Sequence, residues 1–124
     1  MNANELRIGN LVYFLGNVHE IEGLSKRLRP DVGHFLLSNI EHAQKGFHLK
    51  PIHLSEEWLV KFGFKKDISD AYVLNFKLFD IIHKYNDFYW WDGIDWNCTL
   101  ELKYVHQMQN LYFALTGKEL TINN

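Results

Sequence analysis

Seven histidines, at positions 19, 34, 42, 48, 53, 83 and 106, are the first residues to weigh for chemistry. A zinc site needs ligands spaced so that three or four donors surround one ion, and the sequence holds no HExxH, no HxH and no cysteine pair. Cys98 is the single cysteine, which excludes an intramolecular disulfide framework and a CxxC metal knuckle together. A reactive thiol needs a cation or a helix start beside it to hold the thiolate, and the neighbours of Cys98 in its strand-like run supply neither. The glycines form no phosphate-cradling pattern, and the pair Glu56–Glu57 is explained by helix capping. The sequence therefore predicts no catalytic residue, no metal and no cofactor, and it points to binding rather than to catalysis.

Three features are suited to binding. Lys26, Arg27 and Arg29 put three cations on a turn that Pro30 stiffens, and arginine forks match phosphate; a solvated loop is the alternative. Phe88-Tyr89-Trp90-Trp91 alternates on a strand, so that Phe88 and Trp90 share one face while Tyr89 and Trp91 share the other. One pair can fill the core, and the second then needs a cover or serves as a stacking surface. The last helical stretch has no charged residue between Lys103 and Lys118 if histidine is neutral. Its polar side shows His106, Gln107, Gln109 and Asn110. Uncharged amides beside Phe113 suit an interface or a ligand cleft, or else a helix enclosed by its own domain. The residues expected to meet a ligand or partner are thus Lys26, Arg27, Arg29, Trp90, Trp91, His106, Gln109 and Asn110.

The elements that must position these residues read as an α+β fold. Two strand-like runs, 11–15 and 18–22, flank Gly16-Asn17, a pair suited to a two-residue primed turn, and Gly23 breaks the pattern. The hairpin looks like the start of a small SH3-like barrel. A further strand is expected from 34 to 40, and 41–53 reads as irregular. Around 54–64 the start and stop signals agree: Ser55 as cap, Glu56 and Glu57 in the first turn, a Leu54–Leu59 staple, and Gly63-Phe64 as a Schellman end. They predict a short helix over 56–62. An antiparallel meander follows, with strands at 71–76, 78–85, 88–91 and 94–102. The spacing of Tyr104, Met108, Leu111 and Leu115 predicts a helix over 104–116 that Gly117 ends. Leu120-Thr121-Ile122 fits a final edge strand.

A chain of 124 residues with 47% hydrophobic residues suffices for one domain and needs no staple. The opening residues lack the pattern of a signal peptide, and no stretch approaches the ~18 apolar residues that cross a bilayer. The lone thiol suits a reducing cytoplasm, which is the expected location. A net charge of −2 and a pI of about 6.4 argue against general duplex-DNA binding.

Residues 50–64, KPIHLSEEWLVKFGF, and 103–117, KYVHQMQNLYFALTG, together with Leu6-Arg7-Ile8-Gly9-Asn10, resemble a family of small proteins encoded by gut anaerobic bacteria and their phages. The resemblance spans nearly the whole chain. It implies a phage or mobile-element setting and no particular activity or functional residue. The expectation is an accessory binding protein, homo-oligomeric, that captures a host protein or a small phosphorylated, nucleotide-like ligand as in counter-defence. A small-barrel module that binds nucleic acid through the 26–29 loop is the alternative.

Overall fold

The computed structural model describes residues 6–25, 34–39, 44–45, 49–76, 79–84, 87–91, 96–98 and 102–122. It shows two antiparallel sheets and two helices, the α+β architecture expected from the sequence. The first sheet holds β1 (Leu11–Phe14), β2 (Asn17–Ser25), β3 (His34–Leu37) and β4 (Gln44–Lys45), in that order. Lys50 returns on the far edge of β1, exchanging two 2.9 Å backbone bonds with Tyr13. Val12, Ile21, Phe35, Leu37 and Leu49 form a core with Leu6 beside this sheet.

The hairpin turn falls one residue earlier than Gly16-Asn17. Leu15 and Gly16 take it, with φ of 50° and 81°, and Phe14 pairs with Asn17. Moving the turn by one residue changes cross-strand partners by two positions, so every side chain keeps its face. Val12 and Ile21 are buried in either register, and burial cannot choose between them. The far end of the hairpin chooses: Gly9 N–H donates to the Ile21 carbonyl and Ile21 N–H to the Asn10 carbonyl, each at 2.8 Å. Gly23 bends the strand rather than ending it. The pairing of β2 with β3 shifts register between Ile21 and Gly23, and the bulge lets one long strand serve two neighbours.

The second sheet is a meander of β5 (Lys65–Lys66), β6 (Tyr72–Phe76), β7 (Phe79–Lys84), β8 (Asp87–Trp91) and β9 (Trp96–Cys98). Its register aligns Tyr72, His83 and Phe88 in one cross-strand row, and Leu74, Ile81 and Trp90 in the next. Members of both rows pack on the helical core that contains Trp58, Leu59, Phe62, Val105 and Met108.

Helix α1 (Glu56–Lys61) begins and ends as its sequence signals require. The Ser55 hydroxyl accepts from Trp58 N–H, and Gly63 N–H and Phe64 N–H return to the carbonyls of Val60 and Leu59, both at 3.0 Å. Helix α2 (Val105–Thr116) ends at Gly117, whose φ of 72° gives the left-handed cap. Residues 120–122 form no strand. Leu120 is instead buried against the helical core, so one deep side chain anchors the segment without a ladder.

Leu59 is buried at the centre of that core and accepts the Schellman bond through its carbonyl. Leu59→Ala is expected to cost about 2–4 kcal/mol, because a cavity would open where neighbours from both helices meet. Chemical denaturation of the two proteins measures it.

Candidate functional site

Two polar assemblies stand out from the apolar packing. The first joins the opening of the chain to α2. Gln109 is 2% exposed, and its side-chain oxygen accepts from Leu11 N–H at 2.9 Å while its amide nitrogen donates to the Gly9 carbonyl at 3.0 Å. Asn10, also buried, donates to the Asn110 side chain at 2.9 Å and accepts from Arg7 N–H at 2.8 Å. The Arg7 guanidinium donates to the Gln109 carbonyl at 3.1 Å, forms an ion pair with Glu119, and lies 4.4 Å from the centre of the Phe113 ring. Gly9 suits this position because its φ is 97°, a conformation that L side chains rarely adopt.

The charge-free side of α2 is thereby explained. Gln109 does not face a second subunit or a ligand; its amide is taken up inside the domain by the backbone of Gly9 and Leu11. His106 is likewise fully buried, stacked against Tyr104 with ring centroids 5.8 Å apart. Asn110 is half-buried in the same network. Trp90 packs on the helical core, and Trp91, on the reverse of the strand, is half-buried. Lys26, Arg27 and Arg29 lie outside the described residues.

The second assembly lines an open cleft of about 370 Å³ beside the start of α1, near the lower end of the ~300–1,000 Å³ usual for small-molecule sites. A short antiparallel strap contributes to its wall. Leu54 N–H donates to the Lys103 carbonyl and Val105 N–H to the Ile52 carbonyl, each at 2.8 Å, and His53 bridges Tyr104. The Gln107 side chain accepts from the backbone N–H groups of Lys103 and Tyr104, at 2.8 and 3.1 Å, and so holds the strap against the first turn of α2. The strap sets His53 opposite Tyr104, with ring centroids 5.1 Å apart, and Leu54 opposite Lys103. Glu56 and His83 line the same cleft. The Tyr72 hydroxyl donates to the Glu56 carboxylate at 3.3 Å, and Tyr72 pairs with His83 across β6 and β7. Leu54, Leu59, Phe88 and Leu102 supply apolar walls.

His83 is half-buried, with its ring centroid 4.4 Å from that of Phe88. Burial pushes its pKa below the ordinary imidazole value, opposed in part by the Asp87 carbonyl and by the Glu56 and Asp87 carboxylates. Its Nδ1 is buried without a hydrogen-bond partner. A second hollow, of about 410 Å³, lies beside Lys65, Lys66 and Asn75, but Lys66 is already drawn to Asp70 at 3.7 Å. Among the described residues no group of three or more histidine, cysteine or acidic side chains is placed to hold a metal ion. No helix among them is long and apolar enough to cross a membrane.

Comparison of the chain with models of known families, with curated proteins and with solved structures finds no match. His53, Glu56, His83 and Phe88 each carry a reading of their own in the sequence, but no spacing links them into one cleft, because they come from separate elements.

Two measurements follow from this geometry. Gln109→Glu loses the donor to the Gly9 carbonyl and sets a carboxylate against it, so the fold is expected to lose on the order of 2–4 kcal/mol; a denaturation curve reads this directly. Because the folded state holds His83 less basic than the unfolded chain does, protonation favours unfolding. That penalty is absent above the ordinary histidine pKa of ~6.5, grows as pH falls through it, and levels off below the folded value. Thermal melts from pH 8 to pH 5 are expected to fall less steeply for His83→Gln than for the parent protein.

Proposed function

We propose that this protein is a small accessory binder that sequesters a phosphorylated, nucleotide-like small molecule in the cleft beside α1, without converting it. One observation supports the reading above the others: Lys103, His53 and His83 line a single open cleft whose other walls are Leu54, Leu59, Phe88 and Leu102 with Ser55 and Glu56. An ammonium and two imidazoles supply donors to phosphate oxygens. The leucines and Phe88 give the uncharged part of a ligand somewhere to lie. The phage or mobile-element setting implied by the resemblance suits such a protein, since sequestering a host's phosphorylated signal is a form of counter-defence that needs affinity and no catalysis.

Calorimetric titration with nucleoside 5′-monophosphates tests the proposal. Binding is expected to weaken with added salt, and Lys103→Gln is expected to lower affinity about tenfold, the loss of one charge-assisted contact. The corresponding nucleosides, lacking phosphate, are expected to bind far less. Absence of binding by any monophosphate at millimolar concentration overturns the reading. Native mass spectrometry of protein purified from its host reports any retained ligand, and it shows whether the binder acts as a homo-oligomer.

A further inference from the structure

Contacts within the domain account for Gln109 and Asn110, which meet the opening of the chain, and for Gln107, which holds the strap. Phe113 and Ala114 turn outward on the same helix. Phe113 is 41% exposed, and Ala114 beside it is exposed as well. With Asn110 they share one face, at the i, i+3 and i+4 spacing. A freely solvated face carries Lys and Glu at such positions. Here no lysine, arginine, aspartate or glutamate occurs between Lys103 and Lys118. The surface continues beyond the helix through Arg7, whose guanidinium lies 4.4 Å from the centre of the Phe113 ring and pairs with Glu119. The same guanidinium donates to the Ile8 carbonyl at 3.2 Å, and Ile8 is itself 55% exposed.

We infer that this surface, centred on Phe113, is where a second copy of the chain docks. A two-fold interface lays a patch on itself, so any net charge near the axis meets its own like. The only charges in this patch are one cation and one anion, already paired, and the remainder is uncharged. Such a surface meets its own copy without repulsion. Other occupants fit it less well. A nucleic acid or an anionic membrane calls for cations in excess, whereas this guanidinium is balanced by Glu119. A strongly acidic or basic partner needs a net charge of the opposite sign, which the patch lacks. An exposed aromatic beside an arginine, with lysines only at the two ends of the stretch, matches the composition of an interface between proteins. The contact is independent of what the cleft beside α1 binds, because no patch residue lines that cleft.

Sedimentation equilibrium of the full chain tests the inference. Expected at about 100 µM is a mass twice the 14.7 kDa of one chain, falling towards the single-chain value on dilution. Phe113→Glu and Ala114→Glu each set like charges against one another across a two-fold contact. Each is expected to weaken self-association at least about tenfold. Ala114→Glu leaves the Arg7–Phe113 stacking in place, and thermal melts confirm that both variants are folded. Ile68→Glu, at a fully exposed apolar side chain elsewhere on the molecule, is expected to change nothing. A parent chain that stays monomeric at about 100 µM overturns the inference. A dimer that withstands both Phe113→Glu and Ala114→Glu overturns it as well, and so does one that Ile68→Glu dissociates as strongly as they do.

Discussion

The side-chain amide of Gln109 is the contact on which the arrangement of this protein turns. One oxygen and one nitrogen, buried together, bond to the backbone at Leu11 and Gly9 and so join α2 to a strand about a hundred residues earlier. Leaving either backbone group unpaired in that environment would cost about 1–3 kcal/mol. A hydrophobic side chain could fill the space and could not bond both groups. The same hub sets the hairpin register, because Gly9 and Asn10 also grip Ile21. A single polar junction therefore determines where the first turn falls and where the last helix lies.

The cleft depends on a second junction of the same kind. The strap between 52–54 and 103–105 brings the segments leading into both helices together. Leu54, just inside that strap, then packs with Leu59 in the helical core. The Lys103 backbone is consequently held by its bond to Leu54 and by the Gln107 side chain. A functional group mounted on bonded backbone loses less freedom on binding than one on a loose loop. His83 and Phe88, neighbours in one cross-strand row of the meander, line the cleft in a similar way, each placed by sheet register.

His83 shows how such a wall tunes its chemistry. Partial burial disfavours the imidazolium, while the carboxylates of Glu56 and Asp87 favour it, and burial prevails. An anion entering the cleft would add to the favouring side.

Elements whose signals are local were legible in the sequence. Helix α1 follows from Ser55, the Leu54–Leu59 staple and Gly63-Phe64, because caps and Schellman bonds connect residues only a few positions apart. The meander and α2 follow from periodicity, with their ends displaced by a few residues. The absence of charge along 104–117 was equally visible, and it left two meanings open, since a face turned to a partner and a face turned to its own domain exclude charge for the same electrostatic reason. Only tertiary structure separated them, by setting Gly9, Asn10 and Leu11 against Gln109. The hairpin register was undecided by pattern because both turns bury the same side chains. The cleft was invisible for a similar reason: His53, Glu56, His83 and Lys103 share no spacing, and backbone pairing between distant segments, which no local propensity encodes, brings them together.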